Sequence, residues 1–292
     1  MITARGQIGI WGPVAFFFVA LILLQIHLGQ STGVRQKLAQ FMYLPNGEYL
    51  RIASLGYREV MADLLWIQAI QVMGERKVSE EAGRWLYRAF DVITTLDPKF
   101  VRAYEAGSLA LTTIVVLPEE SNQLLEKGIL RNPDEWRLPF IMGINYYFEF
   151  YDDEKAAESI AAAARLPDAP AGLVPLAANL FMSAKSPQQA VELLAAAYQN
   201  TTDESAKRLL EIRLKIMITE RDLQLLEQAI DRYEKQRGHR PGRLGDLVGG
   251  GVLRELPVEP SGGRYLYDPR SGVVSSSELA ERPRLEGRRR AR

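Results

Sequence analysis

The chain has 292 residues, 47% of them hydrophobic, with 36 basic residues against 36 acidic ones and no cysteine. Balanced charge gives no global attraction to nucleic acid. The missing cysteines exclude disulfides, zinc–thiolate sites and a cysteine nucleophile, and the length accommodates one large domain or two smaller ones.

Residues 1–7 form a short head that carries Arg5. No Lys, Arg, Asp or Glu occurs from Gly6 to Val34, and Ile8 to Leu24 is almost wholly apolar, extended by Gln25, Ile26, His27 and Leu28. A bilayer core takes about 20 helical residues, so 8–28 is expected to be a single transmembrane anchor in contact with membrane lipid. Pro13 stands near one end, where a missing N–H costs least, and Trp11 is placed as an interfacial residue. No A-x-A-like cleavage site follows the run, which favours a retained anchor over a cleaved signal peptide. Arg5 before the run and Arg35 and Lys37 after it are nearly even. A tiny head before a long body favours a body outside the cytoplasm, with the cytoplasmic alternative open.

Residues 29–53 read as a connector: a basic helix over Val34–Met42, then a turn at Pro45, Asn46 and Gly47. Ser54 is expected to cap a helix ending near Gly74, with Val60, Leu64, Ile67 and Gln71 at helical spacing beside Leu65, Trp66 and Ile70. Across 54–218, helical apolar patterns alternate with short polar breaks. Three breaks hold Pro98, Pro133 and Pro167, 35 and 34 residues apart, a period that points to stacked helix–turn–helix units sharing one core. Gly143, Ala156, Ala157 and Ala162 are expected where helices approach closely. Helices around Pro175–Met182 and Pro187–Gln199 continue the array, and Asp203 caps a closing helix.

At 219 the character changes. Leu223, Leu226, Ile230 and Tyr233 share one face of an amphipathic helix that Gly238 ends. A Pro/Gly loop and two strands, Arg264–Asp268 and Val273–Ser276, complete a module over 219–277. Gly249–Gly251 reads as a flexible turn between modules. The tail, 278–292, holds six arginines and reads as a disordered, solvated end.

No constellation for catalysis stands out. The two histidines are His27 and His239, and no HExxH, Ser/His/Asp or metal-ligand spacing occurs. Asp152 or Asp153 is expected as a helix cap rather than part of an acidic site. The aromatic run Tyr146–Tyr151 must send one or two rings to a surface. No catalytic residue, cofactor, metal or small-molecule substrate is expected.

Gly143, Tyr146, Ala162 and Pro167, with Phe90 and Pro98 one unit earlier, make the array resemble the tetratricopeptide repeat; Gly128 stands at an alanine place and Gly107 one residue early. That resemblance implies a helical solenoid whose first helices line a groove for a protein segment, with Arg102, Glu105, Arg137 and Tyr147 facing it. Two arginines one repeat apart would hold a carboxylate; the alternative is that each is a solvated charge. The segment from Leu44 to Trp66 also looks like a group of membrane-anchored repeat proteins whose genes lie near those for type IV pilus and ABC-transporter components.

Tyr233, Gly238, Pro241, Leu247, Leu253, Leu256, Pro257, Pro260, Gly263, Tyr265 and Tyr267 make the last module resemble the C-terminal region of type II secretion pseudopilins. Glu259-Pro260-Ser261-Gly262 stands where that family carries Asp-Pro-Trp-Gly, and the N-terminus lacks a prepilin motif, so a pilin subunit is not expected. The whole reads as mostly α: a transmembrane helix, a repeat-like helical solenoid and a small α+β module of helix plus hairpin. The resemblances imply a scaffold at a bacterial inner membrane, binding protein partners in pilus, secretion or transport assembly and not nucleic acid. A structural accessory subunit of a membrane transporter or enzyme complex is the alternative.

Overall fold

Short breaks punctuate a chain otherwise rich in helix formers, and almost every described segment between them is helical. The computed structural model describes residues 18–23, 44–74 and 78–279, which are mostly α-helical with one two-stranded sheet. The described residues fall into two compact units, Met1–Asp97 and Pro98–Arg292. Of the anchor expected over 8–28, only 18–23 is described, and it is helical; the basic helix Val34–Met42 and the tail beyond Leu279 lie outside the described residues. Among the described residues, no helix is long and apolar enough to cross a membrane.

In the first unit, α1 (Gly47–Ala53), α2 (Arg58–Met73) and α3 (Glu80–Leu96) form a small bundle in which α1 and α2 both pack on α3. Asn46 accepts from the Glu48 amide and starts α1, so the expected Pro-Asn-Gly turn is a helix cap inside the expected connector. Ser54 does not cap α2; it closes α1 and donates to the Arg51 carbonyl. Ala62, Leu65, Ala69 and Val72 are buried on α2, while Val60, Leu64 and Ile67 face outward. Small alanines let helices come close, and both stripes are apolar, so periodicity alone could not choose between them.

The second unit opens with three helix pairs. They are α4 (Val101–Thr113) with α5 (Pro118–Arg131), α6 (Arg137–Phe148) with α7 (Asp153–Ala164), and α8 (Leu173–Ser183) with α9 (Pro187–Asn200). Their first helices begin at Val101, Arg137 and Leu173, each 36 residues after the last. Each pair turns through a non-glycine residue in the left-handed region: Val116, Tyr151 and Lys185, with φ of 59°, 56° and 60°. Pro98, Pro133 and Pro167 all lie in the breaks that precede a first helix. Successive breaks are tied together: Asn132 Nδ2 donates to the Pro98 carbonyl at 3.0 Å, and the Tyr104 hydroxyl to the same oxygen.

Close approach falls where small residues stand. A Cβ on Gly143 would lie 2.5 Å from Ile160 Cγ1, and one on Gly128 would lie 2.8 Å from the Tyr104 ring. Ala156 and Ala157 are buried as expected, but Ala162 is exposed; Ala161 and Ala163 take the inner positions instead. The α4, α5 and α6 helices also share a buried polar network: Asn145 donates to Ser121 Oγ and Asn122 Oδ1, and Ser121 donates to the Ser108 carbonyl. Replacing Asn145→Leu keeps the branched shape, with a larger volume, but strands the Asn122 acceptor. The expected cost is about 2 kcal/mol, read as a lower thermal midpoint with protection lost first in α4–α6 on hydrogen exchange.

The closing helix and the module helix are one. α10 (Glu204–Arg237) runs unbroken for 34 residues, capped by Asp203 and ended by Gly238 at φ 78°, so the boundary expected between 218 and 219 falls inside it. What changes there is the core. Leu210, Leu214, Met217 and Ile218 pack with the α6–α9 cluster, whereas Leu223, Leu226, Ala229 and Ile230 pack with Leu247 and Val274. The second core is completed by the short α11 (Gly245–Gly249) and by β1 (Tyr265–Tyr267) paired antiparallel with β2 (Val274–Ser276). Gly249–Gly251 is thus inside this module, not between modules; a Cβ on Gly250 would lie 2.8 Å from the Tyr233 ring.

Candidate protein-binding surface

Helical spacing puts Arg102 and Glu105 one turn apart on α4, and the break before α6 delivers Glu135, Trp136 and Arg137 beside them. Arg137 Nη1 lies 2.8 Å from Glu135 and 3.6 Å from Glu105, and Arg102 Nε lies 3.9 Å from Glu105. The Arg137 guanidinium also sits over the Trp136 ring, 5.5 Å from its centroid. Three of the four residues singled out from sequence therefore meet across two helix pairs. Tyr147 does not join them: it is ten residues further along α6, about 15 Å by helical rise, half-buried against the α6–α9 core and edge-on to Phe148.

The two arginines are already served by the chain's own carboxylates. Glu105 and Glu135 balance Arg102 and Arg137, so the cluster is self-neutral and an incoming carboxylate would have to displace one of them. Glu105 is largely shielded, with its side chain 17% exposed, and its Oε1 is buried without a hydrogen-bond partner. Arg102 is the open member, 83% exposed and 3.9 Å from Glu105. An exposed pair of that kind adds at most about 1 kcal/mol of stability, which leaves the Arg102 head available to another molecule. Glu135 and Trp136 escaped the sequence reading because they precede the helix on which the groove positions were counted.

Set against protein-family models, characterised proteins and solved structures, the chain matches none. Its chemistry therefore rests on its own residues. Among the described residues, no group of three His, Asp or Glu side chains is placed to hold a metal ion. Asp152 is a cap, accepting from the Lys155 amide. Of the aromatic run, Phe148 and Tyr151 are the exposed rings.

A second polar cluster, not foreseen, joins α10 to the terminal module. The Glu259 carboxylate is buried and accepts from the Ser261 and Gly263 amides at 2.7 and 3.0 Å and from the Thr219 and Ser276 hydroxyls, both at 3.2 Å. Asp222, also buried, takes both Nε and Nη2 of Arg221 and the Tyr265 hydroxyl. Burial and the adjacent Asp222 charge push the Tyr265 phenol well above its ordinary range. The Thr219–Glu259 and Tyr265–Asp222 bonds tie loop and strand to α10, and Ser276 ties β2 to the same Glu259, so the cluster is a structural joint.

Proposed function

We propose that this chain is a non-enzymatic, membrane-anchored scaffold of tetratricopeptide-repeat type. Its helix pairs bind protein partners in the assembly of a type IV pilus or a secretion or transport machine of the cell envelope, from the periplasmic side of a bacterial inner membrane. The carrying observation is the regular recurrence in the second unit: a left-handed turn residue within each pair, at Val116, Tyr151 and Lys185, and a proline before each first helix. Stacked pairs of this kind create extended surfaces made of first-helix side chains, and Arg102 is the open charge on that surface. The pilin-like helix-and-hairpin module supports an envelope setting.

The test is capture from crosslinked membranes with the intact chain and with Arg102→Glu. Pilus, secretion or transporter components are expected with the first, and about tenfold less with the second, equivalent to ~1.4 kcal/mol of binding energy. Equal recovery by both removes Arg102 from the interface. Recovery of no such component overturns the envelope assignment. A fixed-stoichiometry complex on native gels favours an accessory subunit of a transporter or membrane enzyme.

A further inference from the structure

The α2 helix carries no charged residue from Leu64 to Met73. Large apolar side chains of a helix are ordinarily turned to a core, yet Val60, Leu64 and Ile67, spaced i, i+4, i+7, are 53%, 52% and 52% exposed, beside the exposed Asp63 and Gln71. The chain leading into it behaves alike. Tyr49 and Ile52 on α1 are exposed, and Leu55, in the turn between α1 and α2, is 87% exposed. Leu55 has φ 49°, a left-handed conformation uncommon outside glycine, and Gly56 follows at φ 96°. This turn displays a leucine to the outside.

We propose that this face of α2, with the Leu55 turn that leads into it, lies in the interfacial layer of a lipid bilayer. Its bilayer is the one invoked by the proposed anchor, and on that point the inference rests on that reading. Only 15 residues separate Leu28, where the apolar run ends, from Leu44; fully extended they reach about 55 Å, which is the farthest the face can stand from a membrane the run enters. The same unit holds a second uncovered apolar helical surface, since Phe18, Val19, Leu21, Ile22 and Leu23 are all exposed. The basic groups beside the face are neutralised in place, Arg51 by Glu48 at 2.9 Å and Arg58 by Glu59 at 3.5 Å, which leaves the exposed Asp63 at its polar edge. Ten uncharged residues are too few to cross a bilayer but suit a helix lying along its boundary, and Tyr49 and Tyr57 suit the headgroup level.

Because the chain has no cysteine, one introduced thiol takes a nitroxide uniquely. The full chain, labelled at Leu64→Cys, Ile67→Cys, Leu21→Cys or Arg84→Cys, is reconstituted in phosphatidylcholine/phosphatidylglycerol vesicles. Collision with oxygen, which concentrates in lipid, is compared with collision with a water-soluble nickel chelate. Positions 64 and 67 are expected to favour oxygen and to reverse the preference at exposed Arg84 on α3. If 64 and 67 behave like 84, water covers the face and the proposal fails. If they are shielded from both reagents, protein covers it, either a second copy or the chain's own apolar run, and the proposal fails equally. Position 21 reads the anchor separately: in lipid there, with 64 and 67 elsewhere, the anchor stands and only this inference falls.

Discussion

Substituting Gly143→Leu is expected to unfold the array around α6 and α7, with a loss of more than about 3 kcal/mol, beyond the usual range for an overpacked core. Gly143 is buried in the first helix of its pair, and even a Cβ there would lie 2.5 Å from Ile160 Cγ1 and 3.0 Å from the Ala156 carbonyl oxygen. Ile160 is β-branched, helical and buried, so its Cγ1 has little freedom to turn away; the carbonyl belongs to the α7 backbone and moves only if the helix does. Gly143→Ala isolates the two terms. Alanine gains about 1 kcal/mol of helix propensity over glycine, but the contact is expected to cost about 1–3 kcal/mol, leaving a net loss. Combining it with Ile160→Ala removes the first clashing group, so the double variant is expected to be at least about 1 kcal/mol more stable than the sum of the single effects. Gly172→Ala, with nothing within 4 Å of its Cβ position, is the control and is expected within about 0.5 kcal/mol of the parent. Thermal unfolding of the parent, Gly143→Ala, Ile160→Ala, the double variant and Gly172→Ala decides it: additive costs for Gly143 and Ile160 would mean that the α6–α7 approach is not where the constraint lies.

How far such features could be read in advance depends on whether the cause is local. Prolines cannot continue a helix, so Pro98, Pro133 and Pro167 announced their breaks. Asp152 and Asp203 announced caps because a short acceptor satisfies free amides at a helix start, and Gly238 announced an end because only a residue tolerant of positive φ closes a helix that way. The left-handed turns at Val116, Tyr151 and Lys185 carry no such mark, since three unrelated side chains adopt one conformation that packing imposes. The unbroken α10 was missed for a related reason. Glu220, Arg221 and Asp222 look like the polar start of a new helix, but no Gly or Pro interrupts the chain, and Asp222 is buried by a tyrosine 43 residues away. At the candidate surface, the repeat resemblance singled out Arg102, Glu105 and Arg137 but did not show their mutual pairing. That pairing depends on how one helix pair sits on the next, and the decisive partner Glu135 lies in a break.

Replacing Glu259→Ala is expected to detach the terminal loop and hairpin from α10 and to cost about 3–5 kcal/mol, because four donors lose a charged acceptor worth about 1.5–3 kcal/mol per bond, with partial recovery from water. Glu259→Gln is expected to cost less, since its carbonyl oxygen can still serve the Ser261 and Gly263 amides while its amide faces the two hydroxyls, which accept as well as donate. The two variants also differ from the parent in their response to acid. Burial works against ionisation of Glu259, but the Gly263 and Ser261 amides and the Thr219 and Ser276 hydroxyls outweigh it and hold the carboxyl below its ordinary value. A carboxyl whose folded value is depressed contributes stability that is complete above the unfolded value, about 4.3. That contribution is lost as pH falls from there through the folded value. The parent module is therefore expected to weaken progressively below about pH 5, and Glu259→Gln to be weaker at neutral pH but flatter with acid. All four tryptophans lie at or before residue 136, so their fluorescence follows the rest of the chain. Amide exchange at Ser261 and Gly263 follows the joint. An acid slope as steep in Glu259→Gln as in the parent would show that Glu259 is not the group whose protonation loosens the joint.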